Sequence, residues 1–266
     1  MSRGCITLLT DFGPADPYVA AMKGVALGVN PEVLLVDISH EVAPHDIVGA
    51  AYLLAWSFAY FPPRTVHVAV VDPGVGSERR ILAAEVHGQF LMAPDNGLLS
   101  VAIKQSPPTR LISVTNAAYF RHPVSMTFHG RDIFAPVAAH LSLGVDLGQM
   151  GRPVHDPILL DEAQPHEVGG ALEGTVVHVD RFGNLVTNIP GSAIRDRDTE
   201  RAARARVRVA GGERLPLVAT YSDVAAGAAC ALVGSTGHVE VSVNGGSAAD
   251  RFGVARGARV TVQFES

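Results

Sequence analysis

Through the first 150 residues, apolar and polar positions are arranged in alternating blocks. Mostly apolar runs at 5–9, 33–38 and 65–71 each lead into a polar, turn-forming segment. Between them the apolar spacing becomes helical. Tyr18, Val19, Met22, Val25 and Ala26 recur on one face of 17–27, with Pro17 suited to a first helical turn and Asn30-Pro31 as a stop. A second helix is predicted over 46–60, capped by Asp46 and ended by Phe61-Pro62-Pro63. The run 33–38 is continuous and β-branched, which predicts a strand buried on both faces. Further on, 81–86 and 90–92 form a hairpin pattern around His87-Gly88. A short helix at 98–104, a strand at 111–114 and a helix at 133–142 follow. Strand and helix alternate, so residues 1–150 read as an α/β N-terminal domain with a mainly parallel sheet flanked by helices.

Near Gly151 the pattern changes. Residues 151–168 are rich in Pro, His and acidic side chains, as in a linker. After Gly169 almost every apolar run is short and strand-like: 174–179, 185–189, 205–209, 215–217, 229–233, 238–243 and 259–264. Residues 169–266 therefore read as an all-β, barrel-like C-terminal domain.

Composition narrows the partners. The chain has 266 residues, 47% hydrophobic and 18% charged, enough for a substantial core. The net charge is -5 and no long basic stripe is present, which argues against nucleic acid. The basic stretch 195–208 is interrupted by Asp and Glu and reads as a solvated face. Cys5 and Cys230 are the two cysteines, with no C-x-x-C spacing; both read as small core residues in a reducing compartment. The first residues turn polar too soon for a signal peptide, and no apolar run approaches ~20 residues. The expected setting is cytoplasmic, without a membrane.

Candidate chemistry gathers at the ends of strands. Asp11 follows the first, Asp37 lies within the second and Asp72 follows the third. Such carboxylates hold Mg²⁺, cap helices or accept from a ribose diol. Gly74-Val75-Gly76-Ser77 is glycine-rich but matches no complete phosphate-loop pattern, so a tight turn is the plainer reading. Asp72 and Arg79 have the spacing of an ordinary ion pair. Phe128-His129-Gly130-Arg131-Asp132 crowds polar groups into one loop, where His129 is either a donor or a structural residue. Among eleven histidines no H-E-x-x-H pattern occurs. In the second half, Asp180-Arg181-Phe182-Gly183-Asn184 is a turn, or a purine pocket with a stacking ring and an amide able to pair with an adenine edge. Tyr221 offers a second aromatic face; the turns at Ser235 and at Asn244-Gly245 offer backbone amides.

The blocks are more informative in order than singly. Leu9-Thr10-Asp11-Phe12-Gly13 is followed by Asp16-Pro17-Tyr18-Val19-Ala20-Ala21-Met22-Lys23-Gly24. Then come Val71-Asp72-Pro73-Gly74-Val75-Gly76-Ser77-Glu78-Arg79-Arg80 and Ala93-Pro94-Asp95-Asn96-Gly97-Leu98-Leu99. Phe128 to Pro136 and Asp180 to Asn188 complete the set. This succession resembles the S-adenosylmethionine (SAM) hydroxide adenosyltransferases, adenosine-forming SAM hydrolases related to fluorinase and chlorinase. The resemblance implies an α/β N-domain, a β-barrel C-domain, and a homotrimer with active sites between the N-domain of one subunit and the C-domain of the next. It implies that Asp72, Arg79 and His129 handle the attacking water and that Asp11 accepts from the ribose diol. Asp180 would meet the methionine ammonium and Ser235 its carboxylate. Phe182 and Tyr221 would flank adenine, with Asn184, Asn244 and Gly245 at its edge, while Asp16 and Tyr18 would line the methionine or ribose side. The halogenating relatives carry a long insertion soon after the block matching 71–80, and small hydroxyl residues where this chain has Gly74, Gly76 and Arg79. Here Arg80 leads directly into the next strand, so the expected reaction is hydrolysis of SAM to adenosine and L-methionine, without cofactor or metal. Two rival classes stand beside it: an Mg²⁺-dependent hydrolase using Asp11, Asp37 and Asp72, and a non-catalytic SAM or adenosine sensor.

Overall fold

A computed structural model describes residues 4–161, 164–195 and 204–264. Much of the basic stretch 195–208 therefore lies outside the described residues. The chain divides between Leu160 and Asp161 into two compact units.

The first unit is built on a seven-stranded sheet. Its strands are β1 (Cys5–Thr10), β2 (Leu34–Ser39), β3 (Val66–Val70), β4 (Ile81–Val86), β5 (Gln89–Pro94), β6 (Arg110–Val114) and β7 (Gly151–Pro153), in spatial order β2-β1-β3-β5-β4-β6-β7. The β2, β1, β3 and β5 pairings are parallel. Strands β4, β6 and β7 join in antiparallel fashion, so β6 runs with the parallel set and β7 against it. The first residues of the segment expected as a linker thus complete this sheet. Helices α1 (Tyr18–Val29) and α4 (Ala135–Ser142) pack on each other, as do α2 (Ile47–Ser57) and α3 (Ser100–Gln105). Asp46 caps α2, accepting from the Gly49 N–H at 2.7 Å.

Strands β3 and β5 are buried along their whole length. Strand β2 is not, contrary to the expectation from its continuous apolar run. It is the last strand on its side of the sheet, with Leu34 51% and Val36 38% exposed. A continuous apolar run reports β propensity but not position within the sheet.

One buried polar group lies in the strand that leads to the candidate site. His67 in β3 is fully buried. Its Nδ1 meets Thr7 Oγ1 at 2.8 Å and its Nε2 meets Gln89 Oε1 at 3.0 Å, and Gln89 in turn donates to the Phe61 carbonyl. Burial pushes its pKa down to about 4, against a smaller opposing effect of the Gln89 bond.

The second unit is an antiparallel, nearly closed barrel. It comprises β8 (His166–Val168), β9 (Ala171–Val179), β10 (Leu185–Pro190), β11 (Ala205–Val209), β12 (Leu215–Pro216), β13 (Ala229–Val233), β14 (His238–Val243) and β15 (Arg259–Phe264). The order is β12-β11-β15-β9-β10-β14-β13, with β8 paired to β9. A bridge between Leu217 and Ala231 brings the two ends of the sheet together. Alternate residues such as Val207, Val239, Val241, Val260 and Val262 fill the interior, as the period-2 pattern requires.

Candidate functional site

In the first unit the candidate residues sit on loops at the carboxyl ends of β1 and β3 and at the start of the segment leading to α4. Asp72 lies two residues beyond the end of β3. Arg79 Nε donates to Asp72 Oδ1 and Oδ2, at 2.8 Å each, and Nη2 also donates to Oδ2. The same Nη2 lies 2.9 Å from His129 Nδ1. Both side chains of the ion pair are nearly buried, 10% exposed for Arg79 and 5% for Asp72. Asp72, Arg79 and His129 therefore form one contiguous cluster, although His129 lies 50 residues beyond Arg79 in the chain.

A guanidinium can only donate, so Nδ1 of His129 must accept and the imidazole proton sits on Nε2. Burial lowers the His129 pKa and the Arg79 charge lowers it further, outweighing the pull of Asp72 and Asp132. The ring is held neutral, with a single N–H donor facing away from Arg79.

Three local features bring these loops together. Gly76 has φ +82°, and a Cβ there would lie within 2.4 Å of the Met126 carbonyl, so only glycine permits the glycine turn to lie against the loop that precedes His129. Asn96 Nδ2 donates to the Val71 carbonyl at 2.9 Å, tying the turn after β5 to the segment that leaves β3. Arg80 takes the other direction, pairing with Asp95 at 2.6 Å and Asp156 at 2.7 Å. After His129 the chain forms a π-helical turn, Gly130–Phe134, so helical structure begins ahead of the start expected at 133. Gly130 lets this turn approach Met22 of α1 closely.

The other first-unit candidates are nearby in the fold but more open. Asp11 follows β1 and accepts the His45 N–H at 2.9 Å. Asp16 is exposed ahead of α1. The Tyr18 ring packs edge-on against Phe128, centroids 5.2 Å apart, and in a tilted arrangement against Phe12 at 5.7 Å. Asp37 is engaged elsewhere, with Lys23 at 2.6 Å and His40 at 3.0 Å. The three strand aspartates considered for Mg²⁺ thus have separate partners. Among the described residues no group of three or more His, Cys, Asp or Glu is arranged to hold a metal ion.

In the second unit Asp180, Phe182, Asn184, Tyr221, Ser235, Asn244 and Gly245 all line one pocket of about 670 Å³. Asp180 organises its turn: Oδ1 accepts the Phe182 and Asn184 N–H groups at 2.8 and 2.9 Å, and Oδ2 accepts Asn184 Nδ2 at 2.8 Å. One acceptor position on Oδ2 and one amide hydrogen on Asn184 remain. Gly183, at φ +81°, abuts Ser247 and turns the Phe182 ring outward, 76% exposed. Asn244 Nδ2 donates to the Val224 carbonyl, so its amide holds the Tyr221 segment as well as lining the pocket.

Sequence reasoning missed Glu240, which lines the same pocket. The alternation of β14 turns His238, Glu240 and Ser242 away from the barrel interior, so they read as solvent-facing, yet all three are buried. Three consecutive outward polar positions leading into Asn244 were the available signal. A further cavity of about 620 Å³ in the first unit, with Ile103, Leu111 and Val154 among its walls, contains none of the candidate residues.

The architecture and these two groups of residues define a two-domain protein of one family. The SAM hydroxide adenosyltransferase N-terminal domain model matches residues 6–151 and the corresponding C-terminal domain model matches 174–261; the chain belongs to this family. More particularly, it is 40% identical over 264 residues to the (R)-S-adenosyl-L-methionine hydrolase of Salinispora tropica, covering 97% of each chain. A fluorinase of an Actinoplanes species is 27% identical across an alignment of 287 positions, longer than this chain. The crystal structure of an uncharacterized conserved protein from Thermotoga maritima superposes with a TM-score of 0.89 at 34% identity, covering 97% of this chain and 99% of that one. Among the described residues no helix is long and apolar enough to cross a membrane.

Proposed function

We propose that this protein is an enzyme that hydrolyses S-adenosyl-L-methionine to adenosine and L-methionine by in-line attack of water on C5′. The observation that carries the reading is the contiguous Asp72–Arg79–His129 cluster with its neutral imidazole. The 40% identity to a relative named for this reaction supports it.

The chemistry suits that cluster. A sulfonium departs as a neutral thioether and needs no general acid. As the C5′–S bond breaks, its electron pair stays on the methionine sulfur. The water oxygen bonds to C5′ and one proton is released. The demanding partner is water, whose pKa in bulk is about 15.7. On this reading the His129 Nε2–H and the Arg79 guanidinium steady the developing hydroxide character, and Asp72 fixes the guanidinium in place. Donors held in advance in a water-poor site act strongly on developing charge. Alignment of oxygen, C5′ and sulfur contributes roughly 7–11 kcal/mol in well-oriented reactions.

The second-unit pocket takes the nucleoside and the amino acid. Phe182 and Tyr221 flank the base, and Asn184, Asn244 and Gly245 meet its edge. Asp180 takes the ammonium through its remaining acceptor, and Ser235 takes the carboxylate. Asp11 accepts from the ribose diol, with Asp16 and Tyr18 on the methionine or ribose side. We further propose a cytoplasmic homotrimer in which the first unit of one subunit supplies the water-handling half-site and the second unit of its neighbour supplies the recognition half-site. SAM is substrate, and no cofactor enters the reaction.

Incubation with SAM followed by chromatography tests the reading: adenosine and methionine appear together. A protein that binds SAM but releases no adenosine is a sensor. In ¹⁸O water the label enters the adenosine 5′-oxygen; label in methionine, or in neither product, overturns the in-line attack.

A further inference from the structure

We propose that Glu240 is a positioning residue that fixes Tyr221 as one aromatic wall of the nucleoside pocket. The inference rests on the second-unit pocket being the recognition half-site. Glu240 lies in β14, only 6% exposed, and borders the pocket beside Tyr221. Its Oε1 accepts the Tyr221 hydroxyl at 2.8 Å and the Ser242 hydroxyl at 2.9 Å. Its Oε2 packs over Gly234, where a Cβ would come within 2.6 Å, so the strand turn is shaped around this carboxylate. Among the described residues it forms no ion pair. A carboxylate desolvated without a cation is costly, and a neutral residue of similar volume would pack there at less expense. What the carboxylate supplies is a strong acceptor held in one place. Ser242 donates from below and Tyr221 is the side chain so held.

Tyr221 needs such a tether. It opens a single 3₁₀ turn, Tyr221–Asp223, and its ring is 40% exposed. The turn's backbone is secured by Asp223, whose Oδ2 accepts the Thr220 and Ala219 N–H groups, but those bonds leave the tyrosine ring free to rotate. The hydroxyl contact with Glu240 removes that freedom before substrate arrives, which lowers the ordering cost of binding. Burial, the Glu240 bond and the Glu240 and Asp180 charges push the phenol up to about 12, so it stays a donor across neutral pH.

The test is a set of steady-state measurements on the full-length enzyme with SAM. Tyr221→Phe and Glu240→Ala each raise KM about tenfold while kcat stays within about twofold. The double variant is no worse than either single one, because both break the same contact. Glu240→Gln keeps an acceptor at Oε1 and brings KM back close to the wild-type value. An unchanged KM in Tyr221→Phe overturns the proposal. So do multiplicative effects in the double variant, or Glu240→Gln as impaired as Glu240→Ala. If Glu240→Ala fails to fold, Tyr221→Phe and Glu240→Gln still decide. Phe182→Ala separates the two levels, since Phe182 lines the pocket and makes no hydrogen bond to Glu240. If it too leaves KM unchanged, the pocket is not the recognition half-site; if it alone raises KM, only the role of Glu240 fails.

Discussion

The Asp72–Arg79–His129 cluster is closed on itself, whereas the second-unit pocket leaves Phe182 76% exposed and Ser235 facing solvent. In the first, every formal charge has its partner within hydrogen-bond reach. In the second, the polar groups shape turns and keep some acceptor and donor capacity in reserve. The difference follows from what each has to do. Charges meant to act on a reacting atom must be desolvated and oriented in advance, and burying a charge costs least when an opposite charge is paired with it. A surface meant to recognise a base can stay open, because an exposed ring costs little and gains when it is covered.

The comparison breaks most severely at the closed cluster. His129→Ala and Asp72→Asn are expected to lower kcat by about 10²-fold or more, with KM changed far less. A loss confined to KM in steady-state assays with SAM would assign these residues to binding instead.

Next in size is the acid sensitivity of the scaffold under that cluster. His67 stays neutral in the folded chain down to about pH 4 but takes a proton near 6.5 when unfolded. Between those values the unfolded state binds the extra proton, so stability is full above pH 6.5 and is lost as pH falls toward 4. The linkage is about 3 kcal/mol. Denaturant titrations across that window should show the loss, and His67→Gln should flatten it. Equal pH dependence in the two proteins would remove His67 from the account.

A smaller effect is expected on the open side. Phe182→Ala removes a stacking face, a change of about 1–3 kcal/mol in nucleoside affinity, read as a rise in KM with little change in kcat. A fall in kcat of equal size would mean that the pocket acts on the transition state as well.

Smallest of all is the response to chelation. With Asp37 held by Lys23 and Asp72 by Arg79, EDTA should leave turnover unchanged. Activity that vanishes with EDTA and returns with Mg²⁺ would revive the metal-dependent reading.

Much of this was legible in the residues. Asp46 announces the cap of α2, the hairpin around His87-Gly88 forms where its turn residues stand, and the short runs after Gly169 build the barrel strands. Local chemistry suffices in such cases because turns, caps and period-2 alternation are settled by neighbours in the chain. The ordered blocks from Asp11 to Asn188 likewise carry the family resemblance. Other matters were decided only by tertiary structure. Whether 33–38 is central or at an edge depends on strand order, to which a single run is blind. Whether Asp72 and Arg79 are an ordinary ion pair or part of a larger cluster depends on Gly76 lying against Met126, which brings His129 to the guanidinium. Glu240 looks solvent-facing by alternation, yet it is buried and its carboxylate accepts the Tyr221 hydroxyl. In each case the deciding contact joins residues far apart in the chain, and that proximity exists only once the strands have paired and the loops have packed.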